Sequence, residues 1–156
     1  MNIDFEYISK NIGIKKYQLI GSGSGRLVYD LDNGYVVKMA KNKKGLLQNK
    51  AEYQIASANK SRLLAKILAI SDDFQYLIME KAEKIKAMSE VLTYYEVHNF
   101  RELFRLEDFK EFTNKHDLLL VDLRRLNSWG VVKGKPVLID FGFTREVSKY
   151  YHLFNF

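Results

Sequence analysis

The sequence predicts an α+β chain: five antiparallel strands and one helix in the first half, then a smaller, mostly helical second half. Three observations lead there. Apolar residues line Arg26–Leu31 and Tyr35–Ala40 on either side of Asp32-Asn33-Gly34, a tight-hairpin signal because Asn-Gly takes up positive φ readily. Apolar residues recur at helical spacing between Gly45 and Leu64, and again from Lys84 to His116. Near the end, Val137-Leu138-Ile139 is a strand-sized apolar run that delivers Asp140-Phe141-Gly142 into a turn.

In chain order, Phe5, Ile8 and Ile12 predict a short leading helix over Asp4–Asn11, stopped near Gly13. Tyr17–Ile20 reads as the first strand, followed by the glycine stretch Gly21-Ser22-Gly23-Ser24-Gly25 and the hairpin just described. Leu46, Leu47, Ala51, Ile55 and Ala58 predict an amphipathic helix over Gly45–Leu64, with Glu52 among them. Leu64–Ile70 and Tyr76–Glu80 read as two more strands joined at Ser71-Asp72-Asp73. From Lys84 to His116, Leu103, Phe104, Leu106, Phe109 and Phe112 predict a long apolar helical face. Trp129–Val132 and Pro136–Ile139 form a hairpin around Lys133-Gly134-Lys135, with Trp129 filling the core. The aromatic tail Glu146–Phe156 is expected to pack back onto the protein, with Tyr150 and Tyr151 as packing residues. The boundary between the halves falls near Lys81–Glu83, giving parts 1–82 and 83–156.

With 156 residues, 47% of them hydrophobic, the chain can bury one core or a core split between two small lobes. The absence of Cys excludes disulfides and Cys-based zinc sites. His98, His116 and His152 show no ligand spacing. The start, Met1-Asn2-Ile3-Asp4-Phe5-Glu6, lacks a signal-peptide pattern, and the apolar runs are too short to span a bilayer, so a cytoplasmic protein without membrane partners is expected. Net charge is +6, from 25 Lys+Arg against 19 Asp+Glu. The basic clusters at 41–44 and 81–86 are not interleaved with a nucleic-acid-binding motif, and read as solvated faces rather than a nucleic-acid footprint.

Several residues carry chemistry. Without Cβ atoms, the backbone N–H groups of Gly21–Gly25 can approach phosphate oxygens, and Val28 follows where an apolar side chain would cover a base; an ordinary hairpin loop is the plainer reading. A Lys38 pointing inward from Val36-Val37-Lys38 needs an anionic partner, and Glu52 is the natural one; otherwise both are surface residues. Asp122 and Asn127 share one loop, Arg124 sits between them, and Asp140 follows the apolar strand. A carboxylate that accepts a hydroxyl proton (Asp122), an amide and a carboxylate for a hard cation (Asn127, Asp140), and a guanidinium for a charged phosphate (Arg124) make one coherent set. Each Asp could instead merely cap a turn.

Taken together, these residues resemble the protein kinase superfamily over about Leu19–Phe143. Leu19–Tyr29 looks like the glycine-rich loop, Val36-Val37-Lys38 like the third-strand lysine motif, and Glu52 like the glutamate of helix C. Leu77–Ala82 resembles the hinge, which puts Met79 at the gatekeeper position and the backbone of Glu80 and Ala82 at the adenine edge. Asp122–Asn127 resembles the catalytic loop, and Asp140-Phe141-Gly142 the metal-binding triplet. The departures are specific. Arg26 replaces the third glycine, with Gly25 one place early; Leu120-Val121 replaces the His-Arg pair before the Asp; no Ala-Pro-Glu follows Phe143. The resemblance implies a kinase-like fold with a reduced second lobe, as in a miniature, C-terminally truncated kinase-like protein similar to small bacterial or phage ones. It implies ATP and Mg²⁺ as cofactors and phosphoryl transfer to a hydroxyl, a Ser or Thr rather than a Tyr since Arg124 stands where serine/threonine kinases carry a lysine; the acceptor would be the chain itself, a docked protein partner or a small molecule. A pseudokinase that binds nucleotide or a partner without catalysis is the alternative, with adenylyl transfer a third.

Overall fold

The computed structural model describes residues 2–58 and 61–154, with side chains through residue 149. A helix, α1 (Phe5–Gly13), opens the fold; Asp4 caps it by accepting the Tyr7 N–H at 3.0 Å. Three strands follow, β1 (Gln18–Ser22), β2 (Arg26–Asp30) and β3 (Tyr35–Ala40), then helix α2 (Lys43–Ala58), then β4 (Ile67–Ile70) and β5 (Tyr76–Glu80). The five strands form one antiparallel sheet in the order β1-β2-β3-β5-β4. The β2–β3 turn falls where expected, but Asp32 at φ 57° and Gly34 at φ 88° take the left-handed conformation, and Asn33 does not.

Period two decides what each sheet face meets. Arg26, Val28 and Asp30 lie opposite Ala40, Lys38 and Val36, and this face looks toward α2. Val37 and Ile78 point the other way and pack with Ile8 of α1, with Tyr29, Leu31 and Tyr35 around them. The sheet is thus covered on one side by α1 and on the other by α2 and the rest of the chain.

The second part departs from the single long helical face. A short strand β6 (Glu83–Lys84) precedes three separate helices, α3 (Met88–Tyr94), α4 (Phe100–Leu103) and α5 (Glu107–His116). Glu96 at φ 57° ends the first turn sequence, and Asn99 restarts the chain as a cap by accepting the Glu102 N–H at 2.9 Å. Phe109 and Phe112 are buried as expected, but from α5 alone. Two 3₁₀ turns, Asp122–Arg124 and Leu126–Ser128, lead into β7 (Trp129–Val132) and β8 (Lys135–Leu138), which pair around Lys133 and Gly134 in left-handed conformation. β6 adds to β7 to give a three-stranded sheet. The chain closes with α6 (Arg145–Phe154), which packs on α2 through its buried Val147 side. The side chains of Tyr150 and Tyr151 lie outside the described residues.

α2 is also shorter than its periodicity suggests. It is described as far as Ala58, and Leu63 and Leu64 enter the core from an irregular segment hydrogen-bonded to Leu138. One hydrophobic cluster runs from Val36, Leu77 and Met79 of the first sheet through Leu103, Phe109 and Phe112 to Trp129, Leu138 and Phe141. The core is therefore continuous across residue 82 rather than split. Trp129 is 1% exposed and donates its ring N–H to the Leu123 carbonyl at 2.7 Å, which fixes the first 3₁₀ turn to the core.

Gly25 and Gly45 permit the closest backbone approach. A Cβ on Gly45 would sit 2.0 Å from the Gly25 carbonyl oxygen and 3.0 Å from Ala40 Cα. Gly45→Ala should therefore lower stability by about 1–3 kcal/mol through overpacking, measured by denaturant unfolding. Gly13→Ala, where a Cβ meets nothing within 4 Å, should leave stability unchanged or slightly raised.

Candidate active site

Four charged side chains converge under the glycine-rich hairpin. Lys38 extends from β3 and places its ammonium 2.9 and 3.0 Å from the two carboxylate oxygens of Glu52 on α2. Arg26, from β2, reaches the same carboxylate at 2.8 Å and the Asp140 carboxylate at 2.9 Å. The Lys38 ammonium also donates to the Ile139 carbonyl, beside Asp140. Phe141 gives its N–H to Glu52 at 3.2 Å. Glu52 is fully buried, and one carboxylate thus holds β2, β3 and the Asp140-Phe141-Gly142 turn to α2. Gly142 permits this: a Cβ there would lie 2.4 Å from the Gln48 carbonyl oxygen and 2.9 Å from Glu52 Cγ.

The buried stripe of α2 is Gly45, Asn49, Glu52 and Ile55, spaced as one helix face. Its middle is polar, which corrects the amphipathic reading built on Leu46, Leu47, Ala51, Ile55 and Ala58: of these Ile55 is buried, while Ala58 is exposed. Asn49 saturates its own amide, accepting from Arg26 at 3.1 Å and donating to the Phe74 carbonyl at 2.8 Å. Burial opposes the charge on Glu52, but Arg26 and Lys38 outweigh it and hold its pKa down at about 2. Burial likewise works against Arg26, and Glu52 with Asp140 more than restores its charge. For Lys38 burial prevails over Glu52 and lowers its pKa, since the carboxylate is shared with Arg26.

The glycine stretch is folded down rather than open. The Gly23 N–H donates to the Arg26 carbonyl at 2.9 Å, and Gly25, buried on Gly45, gives its carbonyl to the Lys41 N–H. Ser24 is tied to the start of α2 through Asn42 at 2.9 Å and Lys44 at 2.6 Å. Ser22, Gly23 and Ser24 are exposed at the tip, and Gly21 rests on Val28. Val28 packs against the core beside Val36 and Met79, which face each other across β3 and β5. Met79 is 1% exposed. The Glu80 N–H is taken by the Lys66 carbonyl and the Lys81 N–H by that of Gly34. Gly130 of β7 lies so close behind Ala82 that a Cβ there would come within 2.6 Å of the Ala82 Cβ.

Asp122 sits in the first 3₁₀ turn. Its Oδ2 is buried without a hydrogen-bond partner among the described residues, and its Oδ1 is 3.5 Å from the Arg125 guanidinium. Burial raises its pKa above the ordinary value, with Asp140 adding to the rise and Arg125 and Lys44 opposing it. Arg124 does not face this site. Its guanidinium lies on the Phe100 and Phe104 rings, 5.7 and 5.8 Å from their centroids. In a 3₁₀ turn residues three apart share a face, so Arg125 and not Arg124 meets Asp122. Asn127 is exposed in the next turn and makes no hydrogen bond with Asp122 or Asp140; the neighbouring Ser128 is buried and donates to the Asp122 carbonyl at 2.6 Å. Lys44 extends over Phe143 at 5.0 Å, close enough for Asp122 and Asp140 to act on its charge.

Among solved structures, the chain is similar to the ternary complex of APH(2″)-IIa with streptomycin and ATP. The match covers 91% of this chain and 71% of that one, at a TM-score of 0.51 and 18% identity. The fold is kinase-like. No family model and no curated protein matches the sequence. In this kinase-like fold Lys38, Glu52 and Asp140 meet around one buried cluster, while Arg124 and Asn127 lie outside it. Arg26, Asn49, Lys44 and Arg125 join the site without having been singled out for it. Strand parity alone could have found Arg26, which shares a face with Val28. A polar groove of about 500 Å³ lies elsewhere, between Arg62 and Asp108 beyond the end of α2. Among the described residues no helix is long and apolar enough to cross a membrane.

Removing the Glu52 anion leaves two buried cations facing each other, so Glu52→Gln should cost about 3–5 kcal/mol in denaturant unfolding. Because the folded pKa of Glu52 is about 2 against an ordinary 4.5, its contribution is complete above about pH 4.5 and is lost as pH falls toward 2. Acid unfolding of Glu52→Gln should lack that portion of the pH dependence; a curve parallel to wild type would contradict it.

Proposed function

We propose that the chain is an ATP- and Mg²⁺-dependent phosphotransferase of protein-kinase type that transfers to a hydroxyl, a Ser or Thr of itself or of a docked protein partner. Residues 1–82 would bind the nucleotide and 83–156 would supply the reactive carboxylates. The observation that carries this reading is the Lys38–Glu52 pair at 2.9 Å set directly against the turn that bears Asp140. A fixed ammonium and a half-exposed carboxylate on one cleft are what a triphosphate with its cation requires.

The donor chemistry fits a hard divalent cation. Asp140 is 47% exposed at its side chain, so its carboxylate can reach a cation from the solvent side. No group of three His, Cys, Asp or Glu side chains is gathered among the described residues, so phosphate oxygens would supply the remaining ligands. Asp140 would hold the cation, with Asn127 as the second donor that the family resemblance supplies. Such a cation neutralises charge on the phosphates. Lys38 would orient the phosphates, Glu52 would keep Lys38 in place, and Val28, Val36 and Met79 would wall the base. Asp122 Oδ2 would accept the proton of the attacking hydroxyl; its elevated pKa makes it a better base than a solvated carboxylate. With Arg124 turned onto Phe100 and Phe104, Lys44 and Arg125 are the cations beside Asp122 that would face the transferring group.

A second reading, a pseudokinase that binds nucleotide or a partner and transfers nothing, draws on one observation: Arg26 already occupies an oxygen of Asp140.

Incubation with Mg²⁺ and γ-labelled ATP should label the protein itself or a protein in a lysate, and Asp140→Ala should abolish the label. Asp122→Asn should slow transfer about 10²–10⁴-fold while keeping the rise in melting temperature that nucleotide produces. Since Asp122 must be ionised to act and its pKa lies above 3.8, the rate should fall as pH drops through that pKa. Nucleotide-dependent stabilisation with no label would select the pseudokinase, and label from α-labelled ATP alone would select adenylyl transfer.

A further inference from the structure

Arg26 stands where its strand would otherwise carry a small or apolar residue, and its side chain is 7% exposed. The guanidinium contacts Asn49, Glu52 and Asp140 at once, at 3.1, 2.8 and 2.9 Å. Glu52 is already paired with Lys38. The charges of buried Arg26, Lys38 and Glu52 and of half-exposed Asp140 therefore sum to zero without any ligand. Lys44 adds a further cation near Asp140, and Arg125 pairs with the neighbouring Asp122 at 3.5 Å. A divalent cation arriving alone at Asp140 would meet a carboxylate whose charge is already balanced, with an arginine on its Oδ1. Nucleotide phosphates reverse that balance, because they bring several negative charges and are themselves preferred partners of a guanidinium. Arginine suits such an exchange: it cannot discharge by losing a proton, and its planar fork serves carboxylate and phosphate alike.

We propose that Arg26 is a positioning residue that couples cation binding to nucleotide binding: it holds Asp140 Oδ1 until phosphates take its guanidinium, so the carboxylate accepts a divalent cation only together with the nucleotide. The proposal rests on the reading of Asp140 as the cation-holding residue. It also accounts for the tight hairpin, since the Arg26 carbonyl accepts the Gly23 N–H and ties the side chain's position to the loop expected to cover phosphates.

The test is Mn²⁺ titration followed by electron paramagnetic resonance of the free ion, with and without a saturating non-hydrolysable ATP analogue. It is run on wild type, Arg26→Gln and Arg26→Lys, each checked for folding by thermal melt. Wild type should bind Mn²⁺ at least about 30-fold more tightly with the analogue than without it, a coupling of ordinary allosteric size. Arg26→Gln should bind Mn²⁺ alone about tenfold more tightly than wild type and retain a coupling of about threefold or less. Arg26→Lys keeps the charge but loses the fork; it should fall between the two, and it carries the test if Arg26→Gln does not fold. Equal affinity of the variants and wild type for Mn²⁺ alone, or unchanged coupling, overturns the role of Arg26 while leaving the phosphotransferase reading standing. If neither wild type nor variant binds Mn²⁺ under any of these conditions, the cation-holding role of Asp140 falls, and the coupling falls with it.

Discussion

A single buried carboxylate organises this molecule. Glu52 accepts from two cations on adjacent strands and from the backbone of the Asp140-Phe141-Gly142 turn. Isolated in the interior, its charge would be intolerable; with Arg26 and Lys38 in place it is the group around which the first sheet, α2 and the C-terminal turn are registered. Such an arrangement stabilises little in net terms, because desolvation consumes most of the attraction. It gives position: moving any one element breaks contacts with the other two. The close backbone approaches at Gly45 and Gly142, on the same face of α2, allow the helix to lie near enough for so short a side chain to reach all of them.

Around this centre the fold supplies two walls of different character. Beneath it runs the continuous apolar core from Val36 through Trp129 to Phe141, which anchors both the sheet and the 3₁₀ turn bearing Asp122. Above it lies the glycine hairpin, held down by hydrogen bonds from 41–44 rather than by apolar packing. Its tip, residues 22–24, is exposed and held by polar ties alone, whereas Gly25 is clamped against Gly45.

Much of this was legible in the sequence because it rests on local rules. Asp32-Asn33-Gly34 marked the hairpin, Glu52 stood out as the partner an inward Lys38 would need, and the apolar run at Val137 marked the strand before Asp140. What escaped depends on three-dimensional context. The face of α2 that is buried is its polar one, because a charged cluster and not a hydrophobic surface receives it; periodicity of apolar residues could not find it. Arg124 looked placed for phosphate until the tight turn put Arg125 on that face. The helical run from Lys84 broke where Glu96 and Asn99 interrupt it, a capping effect that apolar spacing overrides on paper. Arg26 was visible only as a missing glycine, although its strand parity already placed it over Glu52.

The central claim is that Lys38, Glu52 and Asp140 form a phosphate-binding cluster. Equilibrium dialysis against ATP and Mg²⁺ tests it most directly. The account predicts one nucleotide per chain, held only when Mg²⁺ is present, and lost in a folded Lys38→Met variant. Nucleotide binding that is absent, or that survives the loss of Lys38 unchanged, would contradict it.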